Sequence, residues 1–123
     1  MEFDVVSKRV IGCAVEVHRV LGPGLLESTY EQCLAREMHL QDLRFQLQLP
    51  LPVEYKGFRL DCGYRVDVMV ENQLIVELKN VEKVLALHHA QLLSYMRLAG
   101  IRTGLLINFN VRMLKDGLQR FVL

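Results

Sequence analysis

Asp67, Glu77 and Lys79 are the residues of this chain whose types and spacing suit chemistry. Between Asp67 and Lys79 an acid marks the end of one apolar run and a Glu-x-Lys closes the next. The turn-like Glu71-Asn72-Gln73 lies between the two runs. Residues two apart on a strand share a face, so Glu77 and Lys79 project together while Leu78 points away. If the runs pair as a hairpin, two carboxylates and an ammonium meet at one spot. Two acids able to hold a divalent metal, beside a lysine that can handle a water or a phosphate charge, suit phosphodiester hydrolysis. The competing account is a structural Glu77–Lys79 ion pair, with Asp67 as a turn or cap residue. Charges at the ends of apolar strands are costly unless paired or bound to metal, so both accounts give them partners.

Other candidates admit two readings each. Glu27 falls in the opening turn of a helix, with Tyr30 three residues on and nearly on the same face. It either complements the helix dipole or serves as a ligand. Tyr30 is either a core aromatic with a wet hydroxyl or a functional group. Gln91 and Tyr95, four apart on a later helix, share a face. With His88, His89 and Arg97 they either touch a phosphate backbone and support a metal site or form a solvated helix face. Adjacent helical residues point about 100° apart, so His88 and His89 cannot both face one site. No glycine-rich phosphate loop is present, since Gly22-Pro23-Gly24 lacks the lysine and the spacing. No Ser or Cys stands out as a nucleophile.

These residues need elements to position them. Phe3, Val6, Val10, Ala14, Val17 and Leu21 recur at helical spacing, and Gly22-Pro23-Gly24 ends that helix. A second helix is predicted from about Leu25 to Leu40. Phe45 to Pro50 alternates as a strand, and Pro50 and Pro52 place it at an edge or a bend. Strands are also predicted at Phe58–Leu60, Tyr64–Val70 and Leu74–Leu78, with Lys56-Gly57 and Glu71-Asn72-Gln73 as turns. The pattern returns to helical from about Val84 to Leu98, and Gly100 stops it. Thr103–Phe109 reads as a strand buried on both faces. Leu118–Leu123 reads as one more. Two helices, several strands, a helix and a strand predict one α/β domain with a mixed sheet flanked by helices.

Composition bounds the function classes. At 123 residues and 51% apolar, the chain suits one ordered domain with a real core. No apolar run approaches the ~20 residues of a membrane span, and the N-terminus does not read as a signal peptide. Cys13, Cys33 and Cys62 are an odd number without a CxxC pair, which predicts free thiols in a reducing cytoplasm and falls short of an iron–sulfur cluster. A net charge of +1 neither invites nor excludes nucleic acid, since positive charge can concentrate around one groove.

Several motifs agree in order: Gly24-x-x-Glu27-x-x-Tyr30, Tyr64-Arg65-Val66-Asp67, Val76-Glu77-Leu78-Lys79, Gln91-Leu92-Leu93-Ser94-Tyr95 and Gly104-Leu105-Leu106-Ile107-Asn108-Phe109. With these the chain resembles the GxxExxY family, assigned to the PD-(D/E)XK nuclease superfamily, over nearly its whole length. The resemblance implies a restriction-endonuclease-like core, with a helix before a three-stranded portion, then a helix and a further strand. Asp67 matches the acid of the second core strand, and Glu77 and Lys79 match the (D/E)-x-K of the third. Glu27 matches an additional helix acid, and Gln91 and Tyr95 the Gln-x3-Tyr of the exonuclease-like branch. Val66 stands where the superfamily name has proline.

The activity implied by this resemblance is that of a Mg²⁺- or Mn²⁺-dependent DNA hydrolase with a role in repair, recombination or defence. Asp67 and Glu77, the Leu78 carbonyl, and Glu27 directly or through water would hold one or two hard cations. Lys79 would position or help deprotonate the attacking water, or neutralise the pentavalent oxygens. Tyr30, Gln91 and Tyr95 would support the site or contact nucleic acid. Two rivals stand beside this reading. One is a non-cleaving module on the same fold that binds nucleic acid or a protein. The other is a structural or regulatory subunit whose Leu118–Leu123 ending adds a strand to a neighbour's sheet. The presence of Glu27, Asp67, Glu77 and Lys79 together favours the enzyme. A homodimer is compatible with it.

Overall fold

Asp4 starts the first helix by accepting from the Ser7 amide and hydroxyl, both at 2.9 Å. In the computed structural model, which describes residues 4–123, helix α1 spans Val5–Leu21 and buries Val10, Cys13, Ala14 and Val17 at the predicted spacing. The expected start at Phe3 lies outside the described residues. Gly22, at φ 71°, ends the helix, its N–H donating to the His18 carbonyl. Helix α2 spans Glu27–Leu40 and buries Tyr30, Glu31, Leu34 and Met38.

Strands β1 (Phe45–Pro50), β2 (Val53–Tyr55), β3 (Phe58–Leu60), β4 (Arg65–Val70) and β5 (Leu74–Lys79) come next. Helix α3 (Ala86–Ala99), β6 (Thr103–Asn108) and β7 (Leu118–Val122) complete the order, with a short 3-10 turn at Leu114–Gly117 before β7. β2 is an element that the prolines obscured. It pairs with β3 across a tight turn in which Lys56 and Gly57 take φ of 48° and 78°, the combination a two-residue hairpin of this twist requires.

The main sheet runs β1-β4-β5-β6-β7. β5 and β6 are parallel, joined by α3 as the crossover, and the other pairings are antiparallel. The sheet is therefore mixed, and β1 is an edge strand, as Pro50 and Pro52 predicted. β7 forms the opposite edge by pairing with β6 of its own chain. The ending read as one more strand is one, and it pairs within its own chain; the rival reading had given it to a neighbour's sheet.

Helices α1 and α2 cover one sheet face. Val10, Val17, Leu34 and Met38 pack there against Val68, Val76, Leu78, Leu105 and Ile107. Helix α3 covers the other, where Leu92 and Met96 meet Val66, Ile75 and Leu106. β5 and β6 send alternate residues into both layers, which is why they read as continuous apolar runs. Gly104 lets α3 lie close: a Cβ there would stand 2.6 Å from Met96 Sδ. The architecture is the α/β restriction-endonuclease-like core that the resemblance implied.

Candidate active site

β4 and β5 part company where they carry their charged residues. Their register runs Val70↔Leu74, Met69↔Ile75 and Val68↔Val76, and stops before Asp67 and Glu77. Side chains bridge the split instead. The Leu78 N–H donates to Asp67 Oδ2 at 2.9 Å, and the Asp67 N–H faces Glu77 Oε1 at 3.4 Å. The hairpin predicted from the two apolar runs therefore forms, and it opens at its charged end.

The other flank of Asp67 is also irregular. β1 pairs Leu47 with Val68 and Leu49 with Val66, and skips Gln48 opposite Asp67. Gln48 takes a left-handed φ of 52°, which rotates the strand. Leu47 and Val68 consequently belong to the α1–α2 layer, while Leu49 and Val66 belong to the α3 layer. Asp67 sits at the point where β4 changes faces. The Gln48 amide donates to Glu31 Oε1 at 2.6 Å and reaches Asp67 Oδ1 at 3.4 Å.

Asp67 lines a recess of about 120 Å³ together with Glu27, Ser28, Glu31, Gln48 and Leu78. Sequence reasoning found Glu27 and missed Glu31 and Gln48. Glu31 is 9% exposed, and its position four residues after Glu27 on the buried side of α2 was the available signal. Tyr30 aims this end of α2. Its hydroxyl donates to the Gly22 carbonyl at 2.6 Å and accepts from the Leu25 N–H at 3.1 Å. Its ring stacks on Phe109 at 4.3 Å. Being fully buried, Tyr30 supports the loop before Glu27 and is closed to nucleic acid. Asn80 adds a tie from the end of β5 to this loop, donating to the Leu25 carbonyl at 2.5 Å.

Glu77 and Lys79 belong to the α3 side of the split. Glu77 is only 6% exposed. Burial, and next the negative charge of Asp67, push its carboxyl up to about 8, against the pull of the Asp67 N–H and Lys79. Glu27 adds a further upward push. Burial likewise raises Glu31, opposed by the Gln48 hydrogen bond and reinforced by Asp67. Among the described residues there is no Glu77–Lys79 ion pair within 4.0 Å, so the structural ion pair is not what holds these side chains. Asn108 steadies the end of β5. Its side chain accepts from the Val81 N–H at 3.1 Å and donates to the Val81 carbonyl at 2.9 Å.

Gln91 and Tyr95 share a face of α3 as expected, with Gln91 Nε2 donating to the Tyr95 hydroxyl at 3.0 Å. Burial, then Glu77, raises the Tyr95 phenol. Both line a groove of about 650 Å³ with Lys79, Tyr64 and His88. The neighbouring residues divide. His88 Nδ1 accepts from the Leu85 N–H at 3.0 Å and so caps α3 while facing the groove. His89 packs its ring 5.4 Å from Phe121 of β7, and Arg97 reaches Ser94 on its own helix. Neither is brought to the split.

The donor set can be tested against a hard divalent cation. Among the described residues no three His, Cys, Asp or Glu groups stand together as a ready-made cage. Mg²⁺ does not demand one: it takes one or two carboxylates, keeps several waters and accepts substrate oxygens. Asp67 and Glu77 supply two carboxylates flanking one gap. The N–H and C=O of a strand residue point the same way, so the Leu78 carbonyl opens toward β4, as its N–H does. The Lys79 carbonyl turns the opposite way, accepting from the Phe109 N–H. The residues fit such an ion: burial first and the charge of Asp67 second hold the Glu77 carboxyl up, and a cation between the two carboxylates would offset both.

No curated protein and no solved structure matches the chain. A family model described as PD-(D/E)XK nuclease superfamily matches residues 4–121. That span runs from the start of α1 into β7, the split between β4 and β5 included. On this match, and with the α/β core to go with it, the chain belongs to the PD-(D/E)XK nuclease superfamily.

Proposed function

We propose that this chain is a Mg²⁺- or Mn²⁺-dependent nuclease of the GxxExxY kind, acting as one domain to hydrolyse DNA phosphodiester bonds. Members of the superfamily are typically nucleases that use divalent metals. The observation that carries the proposal is the split between β4 and β5, with Asp67 and Glu77 turned into it from its two sides. Asp67, Glu77 and the Leu78 carbonyl would hold the ion, with Glu27 directly or through water. A divalent ion in such a site supplies Lewis-acid stabilisation of phosphate charge and a more acidic water.

The chain's own residues do the rest. Lys79, which lines the groove beside Gln91 and Tyr95, would orient the attacking water or neutralise the phosphate oxygens. Gln48 and Glu31 hold Asp67 in its bent strand. Gln91 and Tyr95 form the wall behind Glu77 and fix the orientation of the Tyr95 hydroxyl. The three free thiols, Cys13, Cys33 and Cys62, support a cytoplasmic setting. Repair, recombination or defence against foreign DNA would each use such an activity.

Titration of Mg²⁺ and Mn²⁺ into wild-type protein and Asp67→Ala tests the proposal, with metal binding and cleavage of a mixed nucleic-acid panel followed together. Binding and cleavage that both vanish in Asp67→Ala support it. A wild-type protein that binds neither ion, with or without nucleic acid, would leave a binding module on the same fold.

A further inference from the structure

The hairpin β2–β3 carries an apolar face that the other described residues leave open. Val53 stands opposite Leu60 and Tyr55 opposite Phe58, so these four side chains share one face while Glu54 and Arg59 take the other. Tyr55 is 61% and Phe58 63% exposed. A two-stranded hairpin is marginal in water on its own, and a contiguous open apolar face marks a place where something binds. Val53, at the base of this face, also lines the groove that contains Lys79. Tyr64 lines the same groove, 44% exposed, with its ring 6.0 Å from that of Tyr95. The groove, about 650 Å³, falls within the size range of small-ligand sites. Hairpin face and groove thus form one apolar, aromatic track that ends at Lys79.

We propose that this track holds the unpaired bases of a single nucleic-acid strand as it leaves the candidate centre, so that the preferred substrate is single-stranded or has a single-stranded end. The proposal rests on the nuclease reading above. Bases offer π-faces that stack on aromatic rings, while the phosphates between them seek cations. The track supplies both. Tyr55, Phe58 and Tyr64 offer rings; the Lys56 ammonium stands 5.4 Å over the Tyr55 ring at the far end, and Lys79 occupies the near end. Gln91 and His88 add polar edges along the α3 wall. A duplex keeps its bases stacked on one another and presents phosphates, so it gains nothing from an apolar face. A second copy of the chain would also cover the hairpin, but would not explain an aromatic track that runs on to Lys79.

The test compares binding of a fluorescent single-stranded DNA with that of the same sequence as a duplex, in chelator so that no cleavage occurs. The proteins are wild type, the double variant Tyr55→Ala/Phe58→Ala, and Phe58→Trp. Both rings are exposed, so truncation leaves the core intact, and circular dichroism checks this. Loss of stacking predicts that the double variant binds the single strand about tenfold more weakly or worse, with duplex affinity within about twofold and Phe58→Trp close to wild type. Equal single-strand affinity in the double variant and wild type overturns the inference. So does a double variant that turns a dimer into a monomer without changing single-strand binding, which would make a second copy the occupant. Cleavage by the same preparations with Mg²⁺ separates the two readings. Wild type that cuts nucleic acid while the hairpin variants bind normally removes only the track. Wild type that neither cuts nor binds removes both.

Discussion

At the scale of single residues, the split between β4 and β5 joins stability and function in Glu77. Its carboxyl is raised to about 8 in the folded chain, against an ordinary value near 4.3 when unfolded. Between those values the folded state binds more protons than the unfolded state, so stability is full at low pH and is lost as pH rises towards 8. Glu77→Gln keeps an oxygen for the Asp67 N–H and removes the charge. In chelator, this variant is expected to lose less stability than wild type between pH 5 and 9, by on the order of a few kcal/mol, while cleavage is lost. Denaturant melts across that range check it, and parallel pH profiles for the two proteins would refute the account. Tyr30→Phe is a second test. The Leu25 N–H and Gly22 carbonyl would lose their partner, costing about 1–3 kcal/mol, and Glu27 would be held less firmly. Chemical denaturation reads the stability, and a rise in the metal requirement for cleavage reads the Glu27 effect. Asp67, Glu77 and Lys79 were legible in the sequence because charge at the ends of apolar runs is conspicuous. Glu31 and Gln48 were not, because Gln48 links Glu31 to Asp67 only through its own left-handed turn in a strand distant in sequence.

Helices and strands were the most legible level, since their apolar periods survive tertiary packing almost unchanged. α1, α3, β5 and β6 end within a residue or two of where spacing and glycine put them. β2 was hidden by Pro50 and Pro52, which signal an edge and a bend without saying that a separate hairpin comes after them. The face change at Asp67 was hidden as well, because strict alternation would place Val66 with Val68. Close packing between elements gives a paired prediction. Gly104→Ala puts a methyl against Met96 and Leu92, overpacking the α3 layer at a cost of about 1–3 kcal/mol. Gly12, within α1, has open space where its Cβ would go, so Gly12→Ala should stabilise by about 0.5–1 kcal/mol through helix propensity alone. Urea unfolding of both variants decides the pair. A neutral Gly104→Ala would show that α3 can lift from β6 without penalty, and with it the Gln91–Tyr95 wall.

On the scale of the whole molecule, a net charge of +1 provides little long-range attraction for nucleic acid, so affinity must come from local features. The split between β4 and β5 is one such feature, and it also ties the layers together. Glu27 comes from α2, Asp67 from β4, and Glu77 and Leu78 from β5, so an ion held by them would link the helical layer to the sheet. A ligand that binds only the folded state stabilises it by RT ln(1 + [L]/Kd), about 2.7 kcal/mol at a hundredfold excess over Kd. Mg²⁺ is therefore expected to raise the melting temperature of wild type, and more at pH 8 than at pH 6. At the lower pH an entering ion must displace the proton that Glu77 holds until about 8, which weakens binding. Asp67→Ala should abolish the shift at both pH values, and Glu77→Gln should remove its pH dependence. Thermal melts over a Mg²⁺ series, with Ca²⁺ as a second oxygen-seeking ion, make the comparison. The same Mg²⁺-induced rise in wild type and Asp67→Ala would place the ion elsewhere on the surface and detach metal binding from the split between the strands.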